Sequence, residues 1–404
     1  MLDKQVRREM ASMVQQIAGG DPDMTEARLK EIIDEVVLDR SAKEHLSLSE
    51  KKEAAAALYA SVRGMDELEE LISDPEITEI MVNGPDDIFI EKAGRLLRHE
   101  GSFESREKLE DVIQKIAAGS NRLINESSPI VDARLRDGSR VNLILPPVSV
   151  RDPVITIRKF PDEVMTINKL IELGSISKEA ADFLEKLVKA GYNIFVSGGT
   201  GSGKTTFLNA LSNFVPKDQR IITIEDSAEL QIREIPNLVS LEVRNANVEG
   251  KNEITIRDLI KTSLRMRPDR IIVGEVRDGA CIDMLQALNT GHCGMSTGHA
   301  NSTVDALSRL ETMVLLGGAE IPLQAVRRQI ASAIDVIIQL GRFRDRSRRV
   351  LEITEVAGFK GDEIILNPLY VFYEEGENEG RVTGCLKRTQ NPLIRTAKLK
   401  SAGL

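Results

Sequence analysis

The run Gly198-Gly199-Thr200-Gly201-Ser202-Gly203-Lys204-Thr205 places flexible backbone, an amine and a hydroxyl in the order that phosphate binding requires. Glycines let the chain curl until successive N–H groups face one anion, and a following helix adds the positive end of its dipole. The Lys204 amine can reach β- and γ-phosphates, the Thr205 hydroxyl can ligate Mg²⁺, and Thr206 continues the cradle. A Gly-rich turn before an ordinary helix is the bland alternative. Context favours the phosphate loop, because the apolar run Ile194-Phe195-Val196 precedes it and a helix-like stretch, 206–211, follows. The segment predicts a nucleotide site with ATP and Mg²⁺ as cofactors.

Three later segments carry groups that such a site needs. In Ile221-Ile222-Thr223-Ile224-Glu225-Asp226-Ser227-Ala228-Glu229, a buried-strand pattern runs into three carboxylates. Glu229 can polarise an attacking water, while Glu225 and Asp226 can hold Mg²⁺-bound waters. A solvated strand end is the alternative. In Ile271-Ile272-Val273-Gly274-Glu275, Glu275 ends a second apolar run and belongs near the metal or its water. The stretch 289–301 holds His292 and His299, two of only four histidines, which can read the γ-phosphate state through hydrogen bonds. Two structurally satisfied histidines remain possible. Zinc is a further alternative given Cys281 and Cys293, but no Cys-x-x-Cys or matching pair exists. Arg309 can stabilise transition-state charge within the subunit, and Arg140 and Arg158 can be offered to a neighbour's site. A surface salt bridge is the bland reading of each arginine.

These residues must be positioned by strand ends, and the hydrophobic pattern supplies them. From about 167 the chain alternates: helix 178–190, strand 193–197, helix 204–213, strand 220–225, helix 255–266, strand 270–274, helix 279–289. That alternation predicts an α/β fold with a parallel sheet, whose ligands sit beyond the strand C-termini. Upstream, 64–150 reads as a small α+β domain, with strands 77–83, 88–91, 131–135 and 141–145 and a helix 109–118. Residues 151–166 read as a linker, Pro146-Pro147 and Pro153 marking the exit. Residues 1–63 read as an N-terminal helical bundle: Leu2, Val6, Met10, Val14 and Ile17 recur at helical spacing before a break at Gly19-Gly20-Asp21-Pro22. The ATPase domain is assigned to 167–404.

Composition narrows the function classes. The 404-residue chain carries a net charge of −9, no tryptophan and 3% aromatic residues, a poor profile for single-strand nucleic-acid binding. No direct nucleic-acid contact is expected. The arginine-rich stretch 341–349, between strand-like runs 333–340 and 350–356, reads as a solvated hairpin tip rather than a nucleic-acid patch. No apolar run approaches membrane-spanning length, the N-terminus lacks the apolar core of a signal peptide, and three cysteines cannot form a disulfide framework. A cytoplasmic location is expected.

In this order the four segments resemble the secretion-ATPase superfamily of type II and type IV secretion and type IV pilus motors. Its motifs are the phosphate loop, an Asp box (here 223–230), a Gly-Glu Walker B and a His box. The CpaF branch, which drives Tad-type (Flp) pilus assembly, is the nearest look. Ile80-Met81-Val82-Asn83-Gly84-Pro85, Asp137-Gly138-Ser139-Arg140-Val141-Asn142, the stretch 263–270 and His299-Ala300-Asn301-Ser302 carry that likeness. The resemblance implies a RecA-like P-loop NTPase domain and a homohexameric cytoplasmic ring with ATP sites at subunit interfaces. It implies partners among inner-membrane platform proteins, with the membrane reached only through them. It assigns Lys204 and Thr205 to phosphate and Mg²⁺, Glu229 and Glu275 to water activation and metal, and His292, His299 and Arg309 to phosphate sensing. One departure is a His box with seven residues from His292 to His299, one fewer than in the nearest members. A DNA-translocating conjugation ATPase is the alternative function, and a nucleotide-gated scaffold a third class.

Overall fold

A computed structural model describes residues 9, 10, 13, 14, 17, 25–44, 47–62, 65, 67–160, 165–244, 246, 251–318 and 321–404. Leu2, Val6 and the Gly19–Pro22 break lie outside the described residues. The chain forms two compact units, Met1–Asp162 and Glu163–Leu404.

In the first unit, α1 (Glu26–Glu44) and α2 (Leu48–Val62) pack together. Leu29, Ile32, Ile33, Val36 and Val37 form one helical stripe, buried with Met10, Val14, Ala54 and Leu58. After α3 (Glu67–Ser73) come β1 (Ile77–Val82), β2 (Ile88–Lys92), β3 (Arg95–Arg98), α4 (Arg106–Gly119), β4 (Ile130–Arg134), β5 (Arg140–Ile144) and β6 (Val154–Arg158). The strands form an antiparallel sheet in the order β3-β2-β1-β6-β5-β4. Ser105 caps α4 by accepting from Lys108 N–H at 3.2 Å. Leu109, Val112, Ile113 and Ile116 of α4 share a core with Ile80, Val82, Leu143, Ile155 and Ile157.

β6 corrects the sequence reading, which places 151–166 in a linker. Ile155 and Ile157 alternate with Thr156 and Arg158, so one face of the segment is buried and it pairs centrally between β1 and β5. Residues 161–164 of that stretch lie outside the described residues.

The second unit begins with α5 (Ile167–Glu172) and α6 (Lys178–Lys189), then β7 (Ile194–Gly198), α7 (Lys204–Ser212), β8 (Ile221–Glu225) and β9 (Leu238–Glu242). It continues through α8 (Ile256–Ser263), β10 (Arg270–Val273), α9 (Ala280–Asn289), β11 (Cys293–His299), α10 (Thr303–Leu316) and α11 (Leu323–Ala333). It closes with β12 (Val336–Arg342), β13 (Arg348–Lys360), β14 (Glu363–Asn378), β15 (Arg381–Arg388) and α12 (Ala397–Ser401). The sheet order is β15-β14-β13-β12-β7-β11-β10-β8-β9. From β12 to β9 neighbours are parallel, while β13 to β15 extend the sheet antiparallel.

Every residue of β7, β8 and β10 is buried, as Ile- and Val-rich runs covered on both faces require. Val196 packs on one side with Leu184, Phe207 and Leu208; Phe195 packs on the other with Ile260, Leu285, Leu310 and Ile330. Of the acidic stretch 374–379, a loop by its composition, all but Glu379 is instead the end of β14, with a register shift between Glu374 and Gly376. Among the described residues no helix is long and apolar enough to cross a membrane.

Candidate functional site

The parallel strands end together, and the phosphate loop leaves β7 at that edge. Gly201 (φ 70°) and Gly203 (φ 89°) take left-handed backbone that only glycine adopts without strain. The loop closes through Ser202, whose N–H and hydroxyl donate to Gly199 O at 3.3 and 2.8 Å. Gly203 caps α7 without a side-chain hydrogen bond, so the first N–H groups of the helix keep their capacity for an anion.

Lys204, only 8% exposed, donates from Nζ to Gly199 O at 3.2 Å and lies 3.2 Å from His299 Nδ1. Burial lowers its pKa, with Glu275 opposing. His299, at the end of β11, brings Nε2 to 2.9 Å from Glu275 Oε1. Burial first, then the Lys204 charge, depress the His299 pKa, which favours the neutral imidazole. Glu275 follows β10, and Arg277 grips its Oε2 through Nε at 2.9 Å and Nη2 at 2.6 Å. That hydrogen bond is the main reason the Arg277 pKa is raised, and Asp226 and Glu229 add to it. Asp226 Oδ2 lies 3.9 Å from Arg277 Nη1. Arg309, on α10, lines a cleft of about 660 Å³ with Gly199, Thr200, His299 and Asn301. Three strand ends and two helices thus bring Lys204, Asp226, Glu275, His299 and Arg309 to one edge.

Two expectations are corrected. Glu225, read as a metal group, is 3% exposed, and its Oε1 accepts from the N–H groups of Glu229 and Leu230 at 2.8 and 3.0 Å. It shapes the turn that carries Glu229, and burial pushes its pKa up to about 7. His292 precedes β11 while His299 ends it. Seven residues of extended chain at roughly 3.3 Å each put about 23 Å between them. His292 therefore lies at the end of the strand away from the phosphate loop, where its Nδ1 meets Thr290 Oγ1 at 3.3 Å. Arg140 and Arg158 sit in the first unit, directly opposite one another across β5 and β6. Arg158 Nε lies 3.7 Å from Glu79 Oε1, the next residue in the same row.

Sequence reasoning missed Arg277. Its position two residues after Glu275 is a local signal, and two of its N–H groups converge on the one oxygen Oε2. It also missed that Gly274 is required by packing: a Cβ there would lie 2.8 Å from Glu225 Cγ.

The donor set fits Mg²⁺. The Thr205 hydroxyl and the Glu275 and Asp226 carboxylates are hard oxygens at one strand edge, and this ion is usually bound by one or two carboxylates plus phosphates. Among the described residues no group of three or more His, Cys, Asp or Glu side chains is placed to hold a metal, so phosphate oxygens would complete the shell.

A glycine cradle at the C-terminal edge of a parallel sheet, with acids from two neighbouring strands, defines a P-loop nucleotide-binding domain. Residues 62–385 match the family described as Type II/IV secretion system protein, and the chain belongs to that family. It is 36% identical over 311 residues to the putative conjugal transfer protein MT3759 of Mycobacterium tuberculosis (strain CDC 1551 / Oshkosh), spanning 75% of this chain and 88% of the relative. It is 33% identical over 317 residues to the type IV secretion system protein VirB11 of Brucella suis biovar 1 (strain 1330), spanning 71% and 88%. The X-ray structure of the Legionella pneumophila ATPase DotB shares the fold, with 23% identity, a TM-score of 0.52 and coverage of 72% of this chain and 80% of that one.

Proposed function

We propose that this chain is an ATPase motor of a secretion or pilus machine, working as a homohexamer. Its closest kinship would be with the CpaF branch of Tad (Flp) pilus assembly. The observation that carries the reading is the connected set Lys204–His299–Glu275–Arg277 beside the phosphate loop.

Each side chain then has a task. Lys204 exchanges its contacts with Gly199 O and His299 for β- and γ-phosphate oxygens. Mg²⁺, held by Thr205, Glu275 and Asp226, supplies charge neutralisation to the phosphates when bound. Glu229 polarises the attacking water, and Arg309 faces the charge that develops on the γ-phosphoryl group. His299, touching both Lys204 and Glu275, registers whether a γ-phosphate is present. Arg140 and Arg158, side by side on one strand row, are suited to approach a neighbour's phosphates. The resulting domain motions would be passed to inner-membrane platform proteins from the cytoplasmic side.

Glu275→Gln tests the reading: ATP turnover is expected to be abolished with ATP binding retained, and a normal rate would overturn the role of Glu275. Light scattering should give six times 44.7 kDa in the presence of nucleotide.

A DNA-translocating conjugation ATPase is the second reading, favoured by the 36% identity to a conjugal transfer protein. The net charge of −9 opposes it. Salt-sensitive DNA binding with DNA-stimulated ATP turnover would decide for it.

A further inference from the structure

The arginine-rich tip between β12 and β13 is built against the phosphate loop. β12 runs parallel to β7 with Leu340 opposite Gly198, so the next residues pass beyond the end of β7 and beside the loop. A Cβ placed on Gly201 would come within 3.3 Å of Arg342 Nη1, and one on Gly203 within 3.4 Å of Arg348 Cδ. Arg342 and Arg348 are also direct partners in the β12–β13 ladder.

The remainder of the tip is saturated with partners. Arg344 pairs with Glu374 and Glu377, each at 2.7 Å. Asp345 accepts from Ser347 N–H and Oγ at 2.9 and 2.6 Å, and from Val382 N–H at 2.8 Å. The Arg349 guanidinium lies over the Phe343 and Phe372 rings, 5.5 and 5.4 Å from their centroids. Arg342 and Arg348 differ: among the described residues neither guanidinium has a hydrogen-bond or ion-pair partner. Like charges directly opposite on neighbouring strands are destabilising. A rigid turn that holds two unneutralised guanidiniums together, beside a ring of N–H donors, is organised for an anion.

Position says which part of the anion. The cleft with His299 and Arg309 touches the loop at Gly199 and Thr200. A second cavity, of about 260 Å³, touches it at Ser202, Gly203 and Thr206 and is walled by Arg348, Arg346 and Leu170. On the reading given above, the first, lined by His299 and Arg309, is the side of the γ-phosphate, which leaves the second for the α-phosphate and the nucleoside.

We propose that Arg342 and Arg348 form a clamp, supplied by the same subunit, on the α- and β-phosphates of the nucleotide, the diphosphate that ATP and ADP share. The clamp rests on the nucleotide-binding reading given above. It makes the β12–β13 hairpin a holder of product as well as substrate, separate from the groups that act on the γ-phosphate.

Calorimetric titration of the full chain with Mg²⁺·ADP and with inorganic tripolyphosphate tests it, comparing wild type, Arg342→Gln, Arg348→Gln, the double variant and Arg348→Lys. Hydrogen bonds to charged groups are worth about 1.5–3 kcal/mol, so each glutamine variant should bind both probes about ten- to a hundredfold more weakly. Arg348→Lys, which keeps the charge, should recover most of the loss, and melting temperatures should stay near wild type. Wild-type-like ADP affinity in the double variant would overturn the clamp. So would an ADP loss without a tripolyphosphate loss, which would mark a damaged nucleoside pocket. If the wild type itself takes up neither probe, the nucleotide reading fails first and the clamp falls with it.

Discussion

Replacing Gly274 with alanine tests whether the buried Glu225 turn sets the geometry of the site. The new Cβ would lie 2.8 Å from Glu225 Cγ and 3.1 Å from its Oε1. Carbon atoms rest about 3.5–4.0 Å apart, so roughly 1 Å of space must be opened. Glu225 has little freedom to give way, being 3% exposed and tied to the N–H groups of Glu229 and Leu230 at 2.8 and 3.0 Å. Overpacking by a methyl group costs about 1–3 kcal/mol, and stranding a buried N–H costs about 1–3 kcal/mol. Relaxation follows the cheaper route, which keeps the expected destabilisation of the second unit at about 1–3 kcal/mol. At roughly 2–4 °C per kcal/mol for a domain of this size, the melting temperature should fall by about 2–12 °C.

Turnover should fall as well, because Glu275 is the next residue and the Glu225 turn carries Glu229. A double-mutant cycle isolates the cause. With Glu225→Ala already present, the crowding carboxylate is gone, and Gly274→Ala should then cost less than about 0.5 kcal/mol. Scanning calorimetry on the four proteins reads the cycle. A Gly274→Ala melting temperature equal to wild type, or strictly additive effects, would refute the reasoning.

Two further perturbations address the frame around the site. Asp335 is 2% exposed and binds Lys398 Nζ at 2.6 Å, Arg395 Nη1 at 3.2 Å and Asn193 N–H at 2.8 Å. Asp335→Ala removes the acceptor shared by the Asn193 N–H and two half-exposed cations, which keep their backbone carbonyl partners, and should destabilise by about 1–3 kcal/mol in urea unfolding. It should also speed proteolysis of residues 389–404, and an unchanged midpoint would count against Asp335 as the anchor of that segment. Burial pushes the Cys281 thiol from its ordinary 9.0 up to about 12. Because the folded value is the higher one, its stabilisation is complete below pH 9.0 and declines as pH rises toward about 12. Cys281→Ala should flatten that alkaline decline. A thiol reagent at neutral pH should label half-buried Cys293 and Cys385 but reach Cys281 only on unfolding.

What was legible in the sequence is what is encoded within a few residues. The phosphate loop is one curl of backbone, and its glycines, Lys204 and Thr205 carry their reason in place. Strands β7, β8 and β10 were legible because an apolar run covered on both faces looks the same whatever its neighbours. β6 was not, since Val154–Arg158 becomes a central strand only by pairing with β5 on one side and, on the other, with β1, which lies far upstream in the chain. His292 failed for a related reason. Proximity in sequence suggested one site, but an intervening strand is extended and separates its ends as far as seven residues allow.

The arginine tip shows how composition misleads when partners are unknown. As a string, 341–349 is a run of cations and reads as solvated. In the fold, Arg344 is neutralised by acids of β14, and Arg349 is absorbed between two rings. The two acids, Glu374 and Glu377, were hidden in a stretch that reads as an acidic loop and belongs to a strand. Once those charges are subtracted, and Arg346 with them because it too has a partner, Arg342 and Arg348 are left, placed beside the loop by the parallel register of β12 with β7. Charge therefore becomes evidence of function only after the pairing has been counted, and pairing is a property of the sheet rather than of the segment.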